Sequence, residues 1–548
     1  MNYGTAACIC VFGLLQGAFG ANRIVAKTGG DYPTITAGLS AANPGDTVMV
    51  KAGTYTEIVN WPKSGSAAGG AIILKAFGDG PAVISGGTAT QNSAELIIIS
   101  SKNYAAIIGM EIGPYTTASG SIFLKGIQIE GTSQHILIKK CKVHDITTTN
   151  TTTNAGANAI GIFGRSASTP VTGVTIDSCE VYGNLTGYSE AISIDGNVDG
   201  FIISHNHVHD NNNIGILIAG FYGECSNCGA ADQARHGVVS DNVVERCSSC
   251  NNPAYKGDCA ADGIYSDGGG KSVFERNFIS SCDIGIEAGA ELAGAIDDSM
   301  IVRDNVICNS RIGGMFIGGY ETGRGWTVYC QVVNNTFYKN DSQNTGSGEF
   351  LIQKAHDNVI RNNIFYTNGQ KQAIVSAFNN TYCYNNAVDN NLFFSPAGST
   401  GIDGASMDSH AKSGDPRFAN ALSGDFRLLN GSPAIDACDP SYLPVPGELD
   451  LGGNARKKGT AVDLGAYEYG ANASAERQTP AKSLLLHQSR GHRPAIDIRR
   501  GGVFILSPDG KNVACCTISG RVIVPVHRAD LRNRGSSSFA RYRKQTVY

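Results

Sequence analysis

Asn277-Phe278-Ile279 is one copy of a short phrase that this chain repeats, in which an Asn is followed by an apolar strand. The other copies are Asn206-His207-Val208, Asn242-Val243-Val244, Asn305-Val306-Ile307, Asn335-Thr336-Phe337, Asn363-Ile364-Phe365 and Asn391-Leu392-Phe393, with Cys141-Lys142-Val143 and Cys179-Glu180-Val181 at the same place in earlier repeats. Successive asparagines lie 36, 35, 28, 30, 28 and 28 residues apart. A period in this range indicates a solenoid, in which each copy forms one coil.

The repeated segments favour strands over helices. They are rich in Val, Ile, Phe and Thr, alternate between apolar and polar residues, and end at Gly or Asn. We therefore predict an all-β fold, a right-handed single-stranded parallel β-helix. Each strand of such a fold pairs with the coils above and below it at a spacing of about 4.8 Å, so like residues stack in columns. The recurring Asn is then predicted to form an internal ladder whose amides bond the backbone of a tight turn.

The composition fits a long β solenoid. Of 548 residues, 42% are apolar, 69 are Gly and only 16% are charged, which argues against a disordered or coiled-coil protein. Residues 475–548 hold 14 Lys and Arg against 4 Asp and Glu, a net charge of +10, so the rest of the chain carries −14 of the total of −4. An acidic body with a separate basic tail is not the profile of a nucleic-acid-binding protein, and we expect no nucleic-acid partner.

The first 21 residues are predicted to form a secretory signal peptide. An apolar stretch over residues 6–19 ends in small residues, which places cleavage near Gly20 or Ala21. The stretch is too short to span a membrane, and no other segment reaches the roughly 18 apolar residues that a span requires. We therefore expect an exported protein without a transmembrane segment, secreted or held at the cell surface, and monomeric.

Cysteine usage supports export, because disulfides persist outside the cytosol. Among the 16 cysteines, the pairs Cys225/Cys228 and Cys247/Cys250 have the spacing of a four-thiolate zinc ribbon. Both pairs border loop insertions, and Cys259 is close by, so disulfides are the favoured interpretation, with structural zinc or free thiols as alternatives. Four other cysteines are predicted to be buried small residues near coil turns, namely Cys141, Cys179, Cys282 and Cys308.

The start of the solenoid carries a capping segment. Residues 30–57, GDYPTITAGLSAANPGDTVMVKAGTYTE, follow a predicted strand over 23–27 and predict a helix over 35–42, a turn at 44–46 and a strand over 47–50. This segment resembles the N-terminal cap of secreted right-handed β-helix proteins of the pectate-lyase-like superfamily. The resemblance implies the fold and leaves the substrate open.

The other end of the chain predicts closure and a separate tail. Residues 414–440, GDPRFANALSGDFRLLNGSPAIDACDP, and 462–470, VDLGAYEYG, resemble the closing segment of many bacterial exported β-helix proteins. We therefore predict a β-helix domain over 22–470, a linker over 471–481 and a small β domain with two hairpins over 482–548. The turn at 519–522 makes the tail similar to type IX secretion sorting domains, which implies secretion machinery as a partner; a carbohydrate-binding or disordered basic tail is the alternative.

Four strands of successive coils predict where chemistry could lie. They begin at Glu190, Ile214, Asp262 and Ile284, and each ends near a Gly. One alternating face is predicted to fill the core: Ile192, Ile194, Ile216, Ile218, Ile264 and Ile286. The opposite face then carries Ser193, Asp195, Leu217, Tyr265, Asp267 and Glu287.

Three acids are expected to converge on this outward face. Asp195 and Asp267 share a column two coils apart, about 10 Å by the strand spacing, and Glu287 is one coil further and diagonal. Acids and glycines near coil ends often only form turns. Carboxylates in mid-strand repel one another unless a cation or a shared proton relieves them, which favours a functional role.

The acids suit two enzymatic chemistries and one without catalysis. In a lyase, Asp195, Asp267, Glu287, Glu291 and Asp262 would bind Ca²⁺, and a basic residue would remove the C5 proton of a uronate. In a glycoside hydrolase, two of the acids would act as a pair. The third possibility is a protein that only binds glycans. The favoured prediction is a calcium-assisted lyase acting on an acidic polysaccharide.

Two predicted loops could cover this face. The insertion over 220–237 holds Asp232 and Arg235, and the loop over 251–259 holds Tyr255 and Lys256. The remaining assignments follow from these positions: Arg235 and Lys271 join Asp195, Asp267 and Glu287 as catalytic candidates, Lys256 is a further candidate base, and Tyr265, Glu190, Asp232 and Lys256 are candidate substrate-binding residues. His205, His207 and His209 suggest a metal site, but other copies of their strand hold ordinary residues, so a structural role is favoured.

Overall fold

A computed structural model describes residues 20–88, 95–152, 156–403 and 409–470, and the backbone of four strands between 496 and 527. The chain divides into two compact units. The predicted signal peptide, except its last two residues, and the predicted linker lie outside the described residues. None of the described helices is long and apolar enough to cross a membrane.

The first unit is a parallel β-helix, as predicted. Each coil contributes one strand to each of three long sheets whose described pairs are all parallel. Sheet 1 contains Asn22–Val25, Thr47–Val50, Ile72–Ala76, Asn103–Ile108, Gln134–Lys139, Thr172–Asp177, Phe201–Ser204, Val238–Ser240, Val273–Glu275, Ile301–Arg303, Gln331–Val333, Val359–Arg361 and Ala387–Asp389. Sheet 2 contains Gly53–Tyr55, Ala82–Ile84, Glu111–Ile112, Lys142–His144, Glu180–Tyr182, His207–His209, Val243–Glu245, Phe278–Ser280, Val306–Cys308, Thr336–Tyr338, Ile364–Tyr366, Leu392–Phe394 and Lys412–Ser413.

Sheet 3 closes each coil and carries the candidate site. It contains Val59–Asn60, Glu95–Ser100, Leu124–Glu130, Ala157–Gly164, Ile192–Gly196, Ile216–Ala219, Asp262–Asp267, Ile284–Gly289, Gly313–Ile317, Phe350–Ile352, Gln372–Ser376 and Gly401–Ile402. Two short parallel sheets join some coils, formed by Gly87–Thr88, Tyr115–Thr117 and Ile146–Thr148, and by Ile296–Asp298, Trp326–Val328, Ala355–His356 and Cys383–Tyr384.

The predicted asparagine ladder runs through the turn between sheets 1 and 2. From Asn206 to Asn391, each side-chain amide donates to the side-chain oxygen of the next Asn, at 2.9–3.1 Å. The same amides also bond backbone carbonyls, as Asn277 Nδ2 does with Val239 O at 2.8 Å. The Asn side chains are therefore fully used inside the coil, and the structural interpretation is confirmed.

The core follows from the alternation of each strand. The isoleucines predicted to face inward, such as Ile194, Ile218 and Ile264, have no exposed surface. Each coil stacks its apolar residues on the next, so one continuous hydrophobic core extends from Val25 to Phe393. Burying this column of apolar side chains drives the folding of the solenoid.

The N-terminal cap has the predicted elements. Its helix is Ile35–Ala41, and Glu57 caps the helix by accepting hydrogen bonds from the backbone of Ile35 and Thr36 at 2.8 and 3.0 Å. The following strand is Thr47–Val50. Ile35 and Leu39 face the core without exposure, so the helix covers the apolar end of the first coil.

The C-terminal closing segment packs against the last coils. A hairpin of Phe418–Asn420 and Asp425–Leu428 is followed by irregular chain, and a short 3-10 turn, Ala421–Ser423, joins its strands. The fully buried Arg456 pairs at 3.0 Å with Asp304, which directly follows the Ile301–Arg303 strand, and at 3.3 Å with Glu468. Removing one member of such a buried group would leave an uncompensated charge, so this cluster fixes the closure.

Among the cysteines whose side chains the structure describes, four form two short-range disulfides. Cys225 bonds to Cys228, and Cys250 bonds to Cys259. Cys247 lies in the core without exposure and without a disulfide, so the zinc-ribbon alternative does not form. As predicted, four free cysteines are buried small residues, namely Cys141, Cys179, Cys282 and Cys308.

The second unit contains a four-stranded antiparallel sheet in sequence order. Its strands are Ile496–Arg499, Gly502–Leu506, Asn512–Cys516 and Val522–His527. The predicted sorting turn at 519–522 lies largely outside the described residues. The sorting role of this unit stays a prediction.

Candidate active site

The outward face of sheet 3 carries the predicted acids. Tyr265 pairs with Leu217 on the preceding coil and with Glu287 on the following coil. Asp267 pairs with Ala219 on one side and Gly289 on the other. These pairings confirm the predicted stacking of the strands in this part of the sheet.

Asp195, Asp267 and Glu287 therefore converge on neighbouring columns. Ile194 pairs with Ile218, so Asp195 lies in the column of Asp267 with one strand between them, a separation of about 10 Å between strands. Glu287 is diagonal to Asp267 on the adjacent strand. A Cβ atom at Gly289 would lie 3.1 Å from Oε1 of Glu287, so the glycine leaves room for this carboxyl group.

A second column, where these strands begin, brings in two more acids. Glu190 stands two residues before Ile192, and Asp262 stands two before Ile264, so Glu190 and Asp262 share a column with one strand between them. Ser193 donates to Oε2 of Glu190 at 3.0 Å. Asp262 is 2% exposed, and its Oδ1 atom has no hydrogen-bond partner. We call the five residues Glu190, Asp195, Asp262, Asp267 and Glu287 the carboxylate patch.

Asp267 is the best-connected acid of the patch. The hydroxyl group of Tyr222 donates to its Oδ2 atom, and the backbone N–H of Glu291 donates to its Oδ1 atom at 2.8 Å. Asp267 itself is only 5% exposed, whereas the Tyr222 side chain is 45% exposed. Tyr222 therefore connects the buried acid to the protein surface, a contact that sequence reasoning did not single out.

The acids perturb one another. Burial, and then the charge of Glu291, raise the pKa of Asp267 to about 7. Burial, and then the charges of Glu291 and Asp267, raise the pKa of Glu287 to about 8. Burial likewise raises the pKa of Asp195 to about 7 and that of Glu190 to about 8. The patch thus holds protons at neutral pH unless a cation compensates for the charge.

Two candidate residues of the insertion over 220–237 make contacts within and beside the insertion. Both carboxylate oxygens of Asp232 accept backbone hydrogen bonds, from Gly223 at 2.7 Å and from Cys225 at 2.9 Å, so Asp232 fixes its own loop. Arg235 pairs with Asp199 at 3.0 Å and donates to Asn197 Oδ1 at 3.0 Å. Both side chains are thus engaged in structural contacts of the insertion.

The other two basic candidates, Lys271 and Lys256, are exposed. Lys271 is exposed and pairs with Asp298 at 3.3 Å. Lys256 is exposed on the loop that the Cys250–Cys259 disulfide closes. The same loop is tied down by the hydroxyl group of Tyr188, which donates to Ala254 O at 2.7 Å.

A basic residue that sequence reasoning missed lies on the same face. Lys125 occupies the column of Glu190, with Asn158 between them. It is 6% exposed, its Nζ atom lies 4.3 Å from the centre of the Phe123 ring, and burial lowers its pKa to about 8. The segment 125–130, KGIQIE, repeats the pattern of 190–195, EAISID, so extending the stack backwards would have found it.

Further side chains border the patch on either side. Arg165 bonds both Glu130 and Glu224. On the other side, Arg324 donates to Glu291 O at 3.2 Å and lies over the ring of Tyr320, which is 41% exposed. Charged and aromatic groups thus flank the acids, an arrangement suited to a polar polymer with apolar ring faces.

The comparisons with known proteins give one sequence relative. No protein-family model matches the chain. The uncharacterized protein YwoF of Bacillus subtilis (strain 168) is 32% identical over 324 residues, which cover 59% of this chain and 67% of YwoF. Because this relative is uncharacterized, it adds no activity to the geometry.

Solved structures that resemble the chain share little sequence with it. The complex of XylC with xylose has a TM-score of 0.48 and 12% identity, covering 73% of this chain and 87% of XylC. The PL6 family polysaccharide lyase Pedsa3628 from Pseudopedobacter saltans has a TM-score of 0.44 and 14% identity, covering 77% and 100%. Pectate lyase Pel9A has a TM-score of 0.37 and 14% identity, covering 82% and 97%.

Proposed function

The chain belongs to the family of the uncharacterized Bacillus subtilis protein YwoF, and from its outward face we propose an extracellular polysaccharide-degrading enzyme that acts on an acidic, uronate-containing glycan. One observation carries this proposal. On a single face of sheet 3, buried carboxyl groups have raised pKa values while buried Lys125 has a lowered pKa. Acids and a base whose pKa values approach neutrality are poised to exchange protons with a substrate.

The donor type of the patch suits a calcium ion, but no three of its acids are among the groups of described residues whose ligand atoms lie within 4.8 Å of one another, so ion binding would have to draw these side chains together. Carboxylate oxygens are the ligands that Ca²⁺ prefers, and the unpartnered Oδ1 atom of Asp262 is a buried acceptor without a donor. We assign Asp195, Asp262, Asp267, Glu287 and Glu291 as the residues that would hold it. When bound, calcium would hold the carboxylate of a uronate unit of the polymer; Asp262 lies four strands, about 19 Å, from Lys125, so this is a different unit from the one beside Lys125.

The reaction we favour is β-elimination. The neutral amine of Lys125 accepts the C5 proton, a double bond forms between C4 and C5, and the bond from C4 to the glycosidic oxygen breaks. The protonated carboxyl group of Glu190, two strands away in the same column, donates the proton that the leaving oxygen requires. Arg235 and Lys271 are less suited as bases, because each is held in an ion pair.

The tyrosines beside the patch supply binding surface. Tyr222 and Tyr320 are both substantially exposed, and sugar rings pack their apolar faces against such side chains. A polymer lying across sheet 3 would contact the strands of Lys125 and of the patch together. Binding energy from the flanking sugars would then orient the reacting uronate.

A second reaction is favoured by the acid pair itself. Asp267 and Glu287 are diagonal neighbours on adjacent strands, and their raised pKa values keep one proton available near neutral pH. Inverting glycoside hydrolases use two carboxyl groups about 6.5–9.5 Å apart. Hydrolysis by this pair is therefore the second candidate.

The test is an assay of the secreted protein against pectate, alginate and glycosaminoglycans. Elimination creates unsaturated uronates that absorb ultraviolet light, and hydrolysis creates reducing ends without that absorbance. We expect absorbance to rise, to stop after EDTA treatment and to return when calcium alone is added back. Reducing ends without absorbance would support the hydrolase, and silence on both readouts would support a glycan-binding protein.

Two variants separate the candidate bases. Lys125→Met keeps the apolar stem of the side chain and should abolish elimination, whereas Lys271→Met should leave the rate unchanged. Thermal unfolding of both variants controls for lost packing at the buried Lys125. The reverse pattern in two folded variants would assign the base to Lys271.

A further inference from the structure

A second cluster of ligating side chains lies on the outward face of sheet 2. His207 and His209 belong to one strand, and Glu180 pairs with His207 from the preceding coil. One ligand atom from each of the three side chains lies within 4.8 Å of the others. We propose that Glu180, His207 and His209 bind a divalent transition-metal ion of the zinc class. This proposal does not depend on the function of the carboxylate patch.

The strand alternation brings the two histidines together. Val208 points into the core without exposure, so His207 and His209 both point outward. Their rings stack with centres 3.9 Å apart. His209 is 6% exposed, whereas the side chains of His207 and Glu180 are 38% and 36% exposed. An ion could thus enter from solvent and be held against a buried imidazole.

The ring of His209 is held in the orientation that a metal requires. Its Nδ1 atom lies 2.7 Å from Oδ2 of Asp210, so Nδ1 carries the proton and donates it there. Its Nε2 atom, 3.5 Å from Oε1 of Glu180, is then the atom that would bind the ion. Ligand atoms of a tetrahedral zinc ion, at bond lengths of about 2.1 Å, lie roughly 3.4 Å apart. A carboxylate behind the ligating His is typical of such sites.

Glu245 on the next coil would supply a fourth ligand after a small movement, because it is not among the three residues whose ligand atoms already lie together. Oε1 of Glu245 lies 3.0 Å from Nε2 of His207. The two glutamates share one arrangement: Lys142 pairs with Oε2 of Glu180 at 3.0 Å, and Arg246 pairs with Oε2 of Glu245 at 2.8 Å. Each glutamate thus keeps Oε1 for the cluster. Two imidazole nitrogens and two carboxylate oxygens form a donor set that suits zinc.

A neighbouring histidine provides an internal comparison. His144 has its Nδ1 atom 2.9 Å from Asp145 and its Nε2 atom 3.3 Å from Glu111, so it reproduces the surroundings of His209. It stacks on Tyr182, where His209 has in addition a second imidazole beside it. When the ring of His144 takes up a second proton, its two N–H groups can donate to the two acids, and no metal ion is needed. The second imidazole distinguishes the proposed metal site from an ordinary histidine ion pair.

A bound ion would link three successive coils. Glu180, His209 and Glu245 lie on consecutive strands of sheet 2. The same three coils continue into the strands of sheet 3 that carry Asp195, Ala219 and Asp267. The ion would therefore stabilise the stretch of solenoid that presents much of the carboxylate patch.

The test measures metal binding directly on the secreted protein, purified without a histidine tag and stripped with EDTA. Cobalt(II) is the probe, because it absorbs visible light in tetrahedral sites and shows an additional ultraviolet charge-transfer band when thiolates bind it. We expect one equivalent to give the visible bands without the thiolate band, zinc to displace it, and thermal unfolding to move to higher temperature with zinc.

Three variants decide the assignment. His207→Asn and Glu180→Gln should each weaken zinc binding by roughly 10- to 100-fold. The matched control, His205→Asn, removes an adjacent exposed histidine that pairs with Asp177 and should bind zinc like the wild type. No binding by the wild type, a thiolate band, or unchanged affinity in both ligand variants would overturn the proposal. Glu180→Gln keeps the test decisive if His207→Asn fails to fold.

Discussion

The interior asparagine ladder and the outward carboxylate patch are both stacks of polar side chains at the strand repeat. In the ladder, Asn277 has no exposed surface and exchanges hydrogen bonds with Asn242 and Asn305 at 3.0 Å. An amide carries both a donor and an acceptor, so each copy satisfies the next. An ionised carboxylate carries only acceptors, so stacked copies repel, and their pKa values rise instead.

The asparagine ladder and the carboxylate patch also differ in how many coils they occupy. Because stacked amides satisfy one another, the ladder is repeated through seven coils. Stacked acids are costly, and they occupy only a few coils, beneath loops that two disulfides constrain. A repeated polar column thus indicates structure, and an acidic column that its own neighbours cannot satisfy indicates a ligand or a reaction.

The largest expected effect breaks the ladder. Asn277→Ala removes the donor to Val239 O and the acceptor of both the backbone N–H and the side-chain amide of Asn242. Buried groups left unpaired each cost about 1–3 kcal/mol, so we expect a loss of roughly 4 kcal/mol in the free energy of unfolding. Denaturant unfolding measures it. Asn380→Ala, in an exposed turn, should change stability by less than about 0.5 kcal/mol; equal effects would contradict the ladder's role.

The second prediction concerns Asp267, a buried acid of the carboxylate patch. Asp267→Asn should lower kcat by about 10²- to 10⁴-fold, because an amide can neither ionise to hold calcium in the elimination nor transfer the proton in the hydrolysis. Its unfolding free energy at pH 8 should stay equal or rise, since the repulsion within the patch decreases. Both are measured on the glycan identified in the assay, by initial rates and by denaturant unfolding.

Glu349→Gln is the matched control. Burial raises the pKa of Glu349 to about 8 as well, but Asn340 donates to its carboxylate from both its backbone and its side chain, at 3.0 and 2.7 Å. In the variant, one of these donors would face the NH₂ group of the new glutamine and lose its acceptor. We therefore expect a loss of about 1–3 kcal/mol in the free energy of unfolding and an unchanged kcat. If both variants lose activity to the same degree, the patch is not the active site.

The patch also predicts how stability depends on pH without divalent cations. Four of its acids have ordinary pKa values of 3.8 or 4.5, and the folded protein raises them to about 7 or 8. The folded state therefore binds more protons than the unfolded state within this window, and the free energy of unfolding falls as pH rises from about 4 to about 8. Calcium should restore stability at the upper end.

Denaturant unfolding at several pH values in EDTA measures this slope. The double variant Asp267→Asn/Glu287→Gln should show a shallower fall than the wild type. Part of the slope should remain, because burial also raises the pKa of Asp304 and Glu349 to about 8 outside the patch. A slope that is identical in the wild type and the double variant would mean that Asp267 and Glu287 are ionised in the folded protein.

The fold and the strand register were predictable because both follow from local periodicity. The alternation of Ile192 and Ile194 fixes which face is buried, and the repeated glycines fix how coils align, so the columns of Asp195 and Asp267 followed. The contacts of the loops were not predictable. The bond from Tyr222 to Asp267 depends on how an insertion folds over the sheet, which no period encodes.

Lys125 and the disulfide pairing were both missed from sequence, for different reasons. Lys125 lies in a strand whose pattern matches the predicted site, and the prediction missed it only because the stack began at Glu190. The bond between Cys250 and Cys259 closes a loop without a repeated counterpart, so spacing alone allowed several pairings. Residues in strands can therefore be placed from sequence, whereas residues in insertions need the structure.

The smallest expected effect concerns Tyr222→Phe. The hydroxyl group of Tyr222 donates to Asp267 and works against the burial that raises the pKa of that acid to about 7. Its removal should move one limb of the pH–rate profile upward by less than about 1 unit. The acidic limb should move if Asp267 must ionise to hold calcium, and the basic limb should move if Asp267 donates a proton in hydrolysis. Tyr188→Phe, which removes a similarly exposed hydroxyl bonded to Ala254 O, should move neither limb.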